Sequence, residues 1–319
     1  MFKIECGEVP MFRRVLLKGV AALAAGSGIV ATGAAPVFAA QKKETRVGQF
    51  IRSSDGTDLF FRDWGRGRAI VLLAPWSLNS AWWEYRMADL ADAGFRCVAY
   101  DRRGHGRSAE PTDGYTFDTL ADDLRAVLEE LELSDVTLVG HSMGCGEVVR
   151  YLSRHGSDRI ARIVLVSTIT PFMLKTDDNP DARDATIIAN VRKNLTKDRA
   201  HAIAAAAPAF FGVPKNSVSQ EIMDWWVRMM VDQCSLRVQL VLHKMSNETD
   251  FRPELRKISL PTLLIHGDID VSAVLEITAR KTAPLISGCL LKVYEDAAHG
   301  LPITHADRLN ADLIAFANS

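Results

Sequence analysis

Leu138-Val139-Gly140-His141-Ser142-Met143-Gly144 is the stretch that decides the fold. A β-branched run leads into it, and residues 145–155 follow with helical spacing. Gly-x-Ser-x-Gly between a strand and a helix is typical of a nucleophile elbow, a sharp turn that exposes the serine. The turn strains the serine backbone and brings strand and helix close, so its flanking residues must be tiny. The alternative is an ordinary strand–turn–helix with a solvated Ser142.

The sequence around this stretch alternates between strands and helices. An N-terminal hairpin is predicted over 49–52 and 59–64, and residues 116–131 have helical spacing, with Asp118 as a candidate cap. Continuous apolar runs predict buried strands at 69–73, 96–100, 136–140, 160–166, 261–265 and 290–294. Such runs indicate a mostly parallel sheet covered by helices on both faces. We therefore predict an α/β fold with an eight-stranded sheet.

The alternation stops over residues 171–254, which are rich in helix formers and contain no convincing strand. We interpret this segment as an inserted helical lid, after which helices are predicted over 274–283 and 303–316. The stripe Trp225, Trp226, Met229 and Met230 either lines a substrate pocket or packs the lid onto the sheet, and both readings stay open.

The first forty residues differ from the rest of the chain. Arg13-Arg14 precedes an uncharged run of small residues that ends in Val37-Phe38-Ala39, the pattern of a twin-arginine signal peptide. We expect export to the periplasm or beyond, with residues 1–40 as the signal and 41–319 as the folded domain. An uncleaved anchor is the alternative.

Composition narrows the class of protein. The chain has 319 residues, 48% of them hydrophobic, and a formal net charge of −1, which suits one globular domain and makes nucleic acid an unexpected partner. We also expect no membrane association after signal cleavage. The five cysteines show no metal-ligand spacing, so buried thiols are the first interpretation and a disulfide the second.

A serine nucleophile needs a base, and the base needs an orienting acid. Reacting groups collect at the carboxyl ends of parallel strands, where Asp270 follows one late strand and His299 follows the next. We predict Ser142 as nucleophile, His299 as general base and Asp270 as orienter, with Asp268 as the competing acid. Three other histidines beside glycines are expected to hydrogen-bond loops: His105, His141 and His266.

Negative charge that develops on the reacting carbonyl oxygen needs two N–H donors. The first expected donor is the backbone N–H of Met143, directly after the nucleophile. The second comes from the loop after residues 69–73, at Trp76.

With these residues in place, the chain resembles an α/β-hydrolase over residues 47–319, and more specifically the cofactor-free (non-haem) chloroperoxidase and esterase group. The matching stretches are 100–108, the 140–144 elbow, 171–180 at the lid entry, 266–270, 298–301 and 304–310. The resemblance implies a serine triad without haem, metal or flavin. It also implies an ester or carboxylic acid substrate and, as a further substrate, hydrogen peroxide, which converts the acyl-enzyme to a peracid that oxidises halide.

Three departures from that group bear on activity. Ala74-Pro75 replaces the usual His-Gly before the oxyanion Trp, and Trp76-Ser77 replaces the Trp-Pro of good peracid formers. Cys145 stands where a glycine is common, and we expect its bulk to narrow the acyl pocket. Of the three, the change to Trp76-Ser77 favours ester hydrolysis over perhydrolysis.

We therefore expect a serine hydrolase of small esters or lactones with side perhydrolysis. A chloroperoxidase as the principal activity and a non-catalytic binding protein are the alternatives. Self-association into a homo-oligomer is left open.

Overall fold

The computed structural model describes residues 49–319, which form one eight-stranded sheet and its covering helices. The strands are β1 (Phe50–Arg52), β2 (Asp58–Gly65), β3 (Ala69–Leu73), β4 (Arg96–Tyr100), β5 (Val136–His141), β6 (Ile160–Val166), β7 (Thr262–Gly267) and β8 (Leu290–Tyr294). Their order across the sheet is β1-β2-β4-β3-β5-β6-β7-β8. β2 pairs antiparallel with both β1 and β4, and the pairings from β4 to β8 are all parallel. The predicted fold class is confirmed.

The α-helices are α1 (Glu84–Asp92), α2 (Phe117–Glu130), α3 (Met143–His155), α4 (Ala185–Lys197), α5 (Arg199–Phe211), α6 (Gln220–Asp232), α7 (Leu236–Glu248), α8 (Arg252–Leu255), α9 (Ala279–Thr282), α10 (Leu301–Thr304) and α11 (Ala306–Ala317). Short 3₁₀ turns lie at Ser80–Trp83, Leu275–Ile277 and Ala283–Leu285. Every residue of β3 and β5 is buried, because one apolar cluster packs on each face of the sheet. This two-sided burial explains the continuous apolar runs of the central strands. The prediction of a buried strand at 290–294 is wrong, because β8 lies at the edge of the sheet, where Leu290 is 57% exposed.

Residues 167–261, between β6 and β7, form a helical insertion that contains α4 to α8. Its longer helices begin at side-chain caps that accept backbone N–H groups, which the sequence supplies as Asp184, Asp198, Ser219 and Ser235. Among the described residues of the insertion, β-bridges occur only as isolated pairs. Two lie within the insertion, Leu174 with Arg183 and Thr176 with Asn179, and a third joins Cys234 to His105. The helical content predicted for residues 171–254 is therefore found.

Three local predictions need correction. Thr116, not Asp118, caps α2, because its side chain accepts the N–H of Thr119. The helix predicted over 274–283 is broken at Thr278, where φ is −120° and ψ −92° and the side chain donates to the carbonyl of Val274. The last helix is split at His305, which leaves helical geometry at φ −123° and ψ 39°.

The predicted signal, residues 1–40, lies outside the described residues. Within residues 49–319, none of the helices has both the length and the apolar character needed to cross a bilayer. Cys97, Cys145, Cys234 and Cys289 are free thiols, and the first three are buried as predicted. Cys289 is only half-buried, because it directly precedes the edge strand β8. Cys6 lies outside the described residues.

Candidate active site

Ser142 occupies the turn between β5 and α3, with φ 55° and ψ −113°. This positive φ is rare for a residue with a side chain, and it is held by a hydrogen bond from the Ser142 N–H to the carbonyl of Val166. A Cβ on Gly140 would lie 2.7 Å from backbone atoms of Gly144, and one on Gly144 would lie 2.7 Å from the carbonyl oxygen of Leu73. Both glycines are needed for the close approach that the sequence predicted.

His299 and Asp270 are brought together by the loops that follow β8 and β7. The Nδ1 atom of His299 lies 2.7 Å from Oδ2 of Asp270, and both side chains are buried. The other carboxylate oxygen accepts the backbone N–H groups of Ser272 and Ala273, each at 2.8 Å. Asp268, the competing acid, is exposed. The contact with the histidine is therefore made by Asp270.

Electrostatics keep this carboxylate ionised. Burial acts to raise the pKa of Asp270, but the charge and hydrogen bond of His299 and the backbone donor at Ala273 outweigh burial and lower it. An ionised carboxylate in contact with Nδ1 favours the tautomer of His299 that carries its proton on that nitrogen.

The other predicted loop histidines do bond to loops. His141 meets the carbonyl of His299 through Nε2 at 3.0 Å and receives the indole N–H of Trp82 on Nδ1. His266 contacts the carbonyl of Ala273, and His105 that of Arg103. Burial, followed by the charge of Arg102, lowers the pKa of His105 to about 3. These rings are neutral supports at neutral pH.

Ser142 and His299 line one cavity of about 690 Å³, together with both residues predicted to donate to the oxyanion, Trp76 and Met143. Met143 begins α3, so its N–H is one of the unpaired donors of a helix N-terminus. Trp76 follows β3 on the facing loop, and its indole donates to the carbonyl of Gln239 in α7. The four predicted residues thus line the same partly enclosed cavity.

Cavity walls come largely from the helical insertion. Trp226 and Met230 line the cavity, whereas Trp225 stacks on Trp82 with ring centroids 6.2 Å apart. Within the predicted stripe, Trp226 and Met230 therefore line the pocket, whereas Trp225 packs the insertion against Trp82. Other cavity-lining side chains include Ile169, Met173, Arg183, Leu195, Phe210, His243 and Val271.

Cys145 does not narrow the pocket, so that expectation is wrong. Its thiol points back into the protein, 3.2 Å from the carbonyl oxygen of Gly140 and 3.5 Å from that of Val166. The residue is two positions into α3, and the helical turn carries its side chain away from the cavity. Burial raises the pKa of the thiol to about 12, which makes it inert.

Arg102 and Glu147 form a buried ion pair beside the loop that precedes Trp76, a contact that the sequence did not predict. Arg102 donates through Nε to Glu147 on α3 at 2.9 Å, and through Nη2 to the carbonyl of Ala74 at 2.7 Å. Its Nη1 lies 3.5 Å from the carbonyl oxygen of Pro75. The signal was the charged run that directly follows the buried strand β4. Arg102 thereby joins α3 to the loop that precedes Trp76.

Within residues 49–319, no cluster of three histidine, cysteine or acidic side chains is arranged to hold a metal ion.

Comparison with known proteins gives a consistent family. A family model described as "alpha/beta hydrolase fold" matches residues 69–306. The chain is 40% identical over 269 residues to "Non-heme chloroperoxidase CPO-A1" of Kitasatospora aureofaciens, which covers 83% of this chain and 97% of that protein. It is 36% identical over 276 residues to "Bifunctional esterase/perhydrolase DCH" of Acinetobacter calcoaceticus, covering 85% and 99%.

The solved structures agree with this assignment. The crystal structure of a bromoperoxidase from Bacillus anthracis matches with a TM-score of 0.81 and 34% identity, over 85% of this chain and 99% of that one. An esterase from Exiguobacterium antarcticum matches with the same TM-score and 28% identity, over 85% and 100%. The chain belongs to the α/β-hydrolase family of enzymes, in the group of the non-haem chloroperoxidases and related esterases.

Proposed function

We propose that the chain is a serine hydrolase of small carboxylic esters or lactones. The observation that carries this proposal is the hydrogen bond from His299 to Asp270 beside a cavity that Ser142 also lines. An imidazole oriented by a buried carboxylate, next to a serine on a strained turn, is the arrangement that acyl transfer needs.

In the proposed mechanism, Oγ of Ser142 attacks the ester carbonyl carbon while Nε2 of His299 takes the hydroxyl proton. The negative charge that forms on the carbonyl oxygen accepts the N–H groups of Met143 and Trp76. Collapse breaks the ester C–O bond, and His299 returns the proton to the leaving alcohol. Water then attacks the acyl-serine, again with His299 as base, to release the acid and restore Ser142.

The test is hydrolysis of p-nitrophenyl acetate by wild-type protein and Ser142→Ala. We expect the substitution to lower kcat/KM by at least about 10³-fold, since the residues of a triad act as a unit. Ser153→Ala, an exposed change in the same helix α3, is the matched control and keeps wild-type activity. Equal activity in Ser142→Ala and Ser153→Ala would refute the proposal.

Perhydrolysis is the second candidate, favoured by the names of the relatives: non-heme chloroperoxidases and a bifunctional esterase/perhydrolase. Hydrogen peroxide would replace water as the attacking group on acyl-Ser142, giving a peracid that oxidises bromide. Ser77 has φ 61°, which a proline ring cannot adopt, so this loop differs from the Trp-Pro loop of good peracid formers. We therefore propose hydrolysis as the main reaction.

A direct assay separates the two candidates. Peroxide- and acetate-dependent bromination is compared with ester hydrolysis in the same preparation. Bromination faster than hydrolysis would make the chloroperoxidase reading correct, and bromination that persists in Ser142→Ala would exclude the acyl-enzyme route. Tight ligand binding without any turnover of short esters would point to the non-catalytic alternative.

We also propose export, on the sequence pattern at Arg13-Arg14 alone. Replacing both arginines with lysine should retain the precursor in the cytoplasm, measured by fractionation of cells that express the full chain. Unchanged export of that variant would contradict a twin-arginine signal.

A further inference from the structure

One wall of the cavity carries charge that the proposed chemistry does not use. Besides His299, the titratable side chains that line the cavity are Arg183, Lys197, Asp198, His201 and His243. The single carboxylate among them, Asp198, accepts the N–H of His201 and so caps α5. Arg183 and Lys197 therefore outnumber the one carboxylate, and the rest of the wall combines apolar side chains with neutral polar ones such as Asn194 and Asn247.

Arg183 is the most firmly held of these groups. Its backbone N–H donates to the carbonyl of Met173 at 2.9 Å, and its carbonyl accepts the N–H of Lys175 at 2.8 Å. Its Nη2 donates to the carbonyls of Val271 at 2.9 Å and Ser272 at 2.6 Å. These contacts fix the guanidinium beside the loop that carries the acid of the proposed triad.

Some N–H donors of the Arg183 guanidinium make no hydrogen bond to the described residues. Among the described residues no carboxylate lies within 4.0 Å of it, and its Nε and Nη1 have no hydrogen-bond partner although neither is buried. A cation without a counterion in a partly enclosed cavity interacts strongly with an incoming anion. Its two open nitrogens can donate to that anion.

The groups around Arg183 do not pair with its charge. His243 is neutral at neutral pH, because burial, followed by the charges of Arg192 and Arg183, lowers its pKa to about 4. Asp270 is the one carboxylate that acts electrostatically on Arg183, and its oxygens are already held by His299 and by two backbone N–H groups. This end of the cavity suits a ligand that brings its own negative charge.

We propose that Arg183 binds a carboxylate of the substrate, so that the enzyme prefers esters or lactones bearing a second, ionised carboxyl group over neutral ones of the same size. The inference rests on the proposed hydrolase function, for which it names the substrate class. Arg183 is thus a specificity-determining residue, and the apolar walls from the insertion hold the chain that links the two functional groups.

The test uses matched pairs of substrates. On the acyl side, p-nitrophenyl hydrogen glutarate is compared with p-nitrophenyl methyl glutarate. On the alcohol side, 4-acetoxybenzoate is compared with its methyl ester. Each is assayed with wild-type protein, Arg183→Gln, Arg183→Lys and Lys193→Gln, which removes an exposed charge on α4 that does not line the cavity.

We expect wild-type kcat/KM to favour the anionic member of at least one pair. Arg183→Gln should lower that value roughly 10- to 100-fold, mainly through KM, and change the neutral ester less than threefold. Arg183→Lys should restore part of the preference, and Lys193→Gln should leave it unchanged. An equal loss on anionic and neutral esters in Arg183→Gln would overturn the proposal, because Arg183 would then only brace the loop at Ser272.

A binding experiment separates this proposal from the hydrolase itself. If wild-type protein hydrolyses none of the four esters, the proposed function fails, and calorimetric titration with glutarate still tests Arg183. Binding to wild-type protein that is at least tenfold weaker in Arg183→Gln supports the anion site. Equal or absent binding in both proteins rejects it.

Discussion

Two consecutive arginines, Arg102 and Arg103, extend from one loop into two different regions of the molecule. Arg102 pairs with Glu147 on α3 and donates to the carbonyl of Ala74 in the loop that precedes Trp76. Arg103 pairs with Asp123 on α2, through Nε at 2.7 Å and Nη2 at 2.6 Å. Both guanidinium groups and both carboxylates are buried.

The difference between the regions lies in what else each arginine touches. The second partner of Arg103 is Asp55, which lies in the turn between β1 and β2 and does not line the cavity. Arg102 instead holds carbonyl groups next to a proposed oxyanion donor. A buried arginine–carboxylate pair therefore stabilises the fold in the Arg103 region and positions the candidate site in the Arg102 region. Substitutions in the two regions should separate effects on stability from effects on catalysis.

The largest expected effect is on stability. Arg102→Met and Arg103→Met each leave a buried carboxylate without its partner, and each should lower the free energy of unfolding by about 3–5 kcal/mol. Urea denaturation measures this loss. Activity per folded molecule should fall at least tenfold only in Arg102→Met. An equal fall of kcat in Arg103→Met would show that the two regions are not separable in this way.

The second prediction concerns the turn in each region. The Arg103 region uses Gly56, which has φ 88°, whereas the Arg102 region places Ser77 at φ 61°. Ser77→Pro requires a different backbone and should cost about 3 kcal/mol, while Ser77→Gly relieves strain and should be neutral or stabilising. Thermal unfolding of both variants measures the difference. A fully stable Ser77→Pro would show that this loop rearranges freely despite Arg102.

The third prediction is kinetic and uses gentler changes. Glu147→Gln keeps the shape of the side chain but weakens its hold on Arg102, so kcat should fall roughly fivefold, about 1 kcal/mol, with KM unchanged. That pattern marks an interaction made only in the transition state. Asp123→Asn is the matched change in the other region and should leave kcat within twofold. A rise in KM alone for Glu147→Gln would remove the link to the oxyanion loop.

The smallest effect is the acid response of the Arg103 region. The hydrogen bond from Arg103 lowers the pKa of Asp55 to about 2, against an ordinary value of about 4 when unfolded. The stability this provides is complete above about pH 4 and is lost as the pH falls towards 2. Because Asp55 is half exposed, the effect should be below about 1 kcal/mol. Chemical denaturation of Asp55→Asn should show a shallower loss across this window than wild type; identical slopes would contradict the assignment.

Much of the fold could be read from local pattern. Strands such as β3, β6 and β8 have the predicted bounds because apolar runs between turn residues determine them directly. The breaks at Thr278 and His305 could not be predicted, since they depend on side-chain bonds to nearby groups, the carbonyl of Val274 and the hydroxyl of Thr304. The spacing of hydrophobic residues alone does not predict these side-chain bonds, which compete with the hydrogen bonds of the helix.

The candidate site, like the fold, could be predicted from the sequence only in part. Strand ends and chain order led to Ser142, Asp270 and His299, because a parallel sheet brings its carboxyl ends to one edge. The pair of Arg102 with Glu147 joins residues 45 positions apart, and no local pattern encodes that contact. The direction of the Cys145 side chain was missed for a related reason: it depends on how α3 packs against β5 and β6.

Every step of the proposed reaction depends on Ser142 as the nucleophile. The most direct measurement is intact-protein and peptide mass spectrometry after treatment with a fluorophosphonate serine-hydrolase probe, with residual ester hydrolysis followed in parallel. We expect one probe per chain, attached to the peptide that contains Ser142, and loss of activity in proportion to labelling. Full activity in the labelled protein, or labelling of another residue while Ser142 stays free, would contradict it.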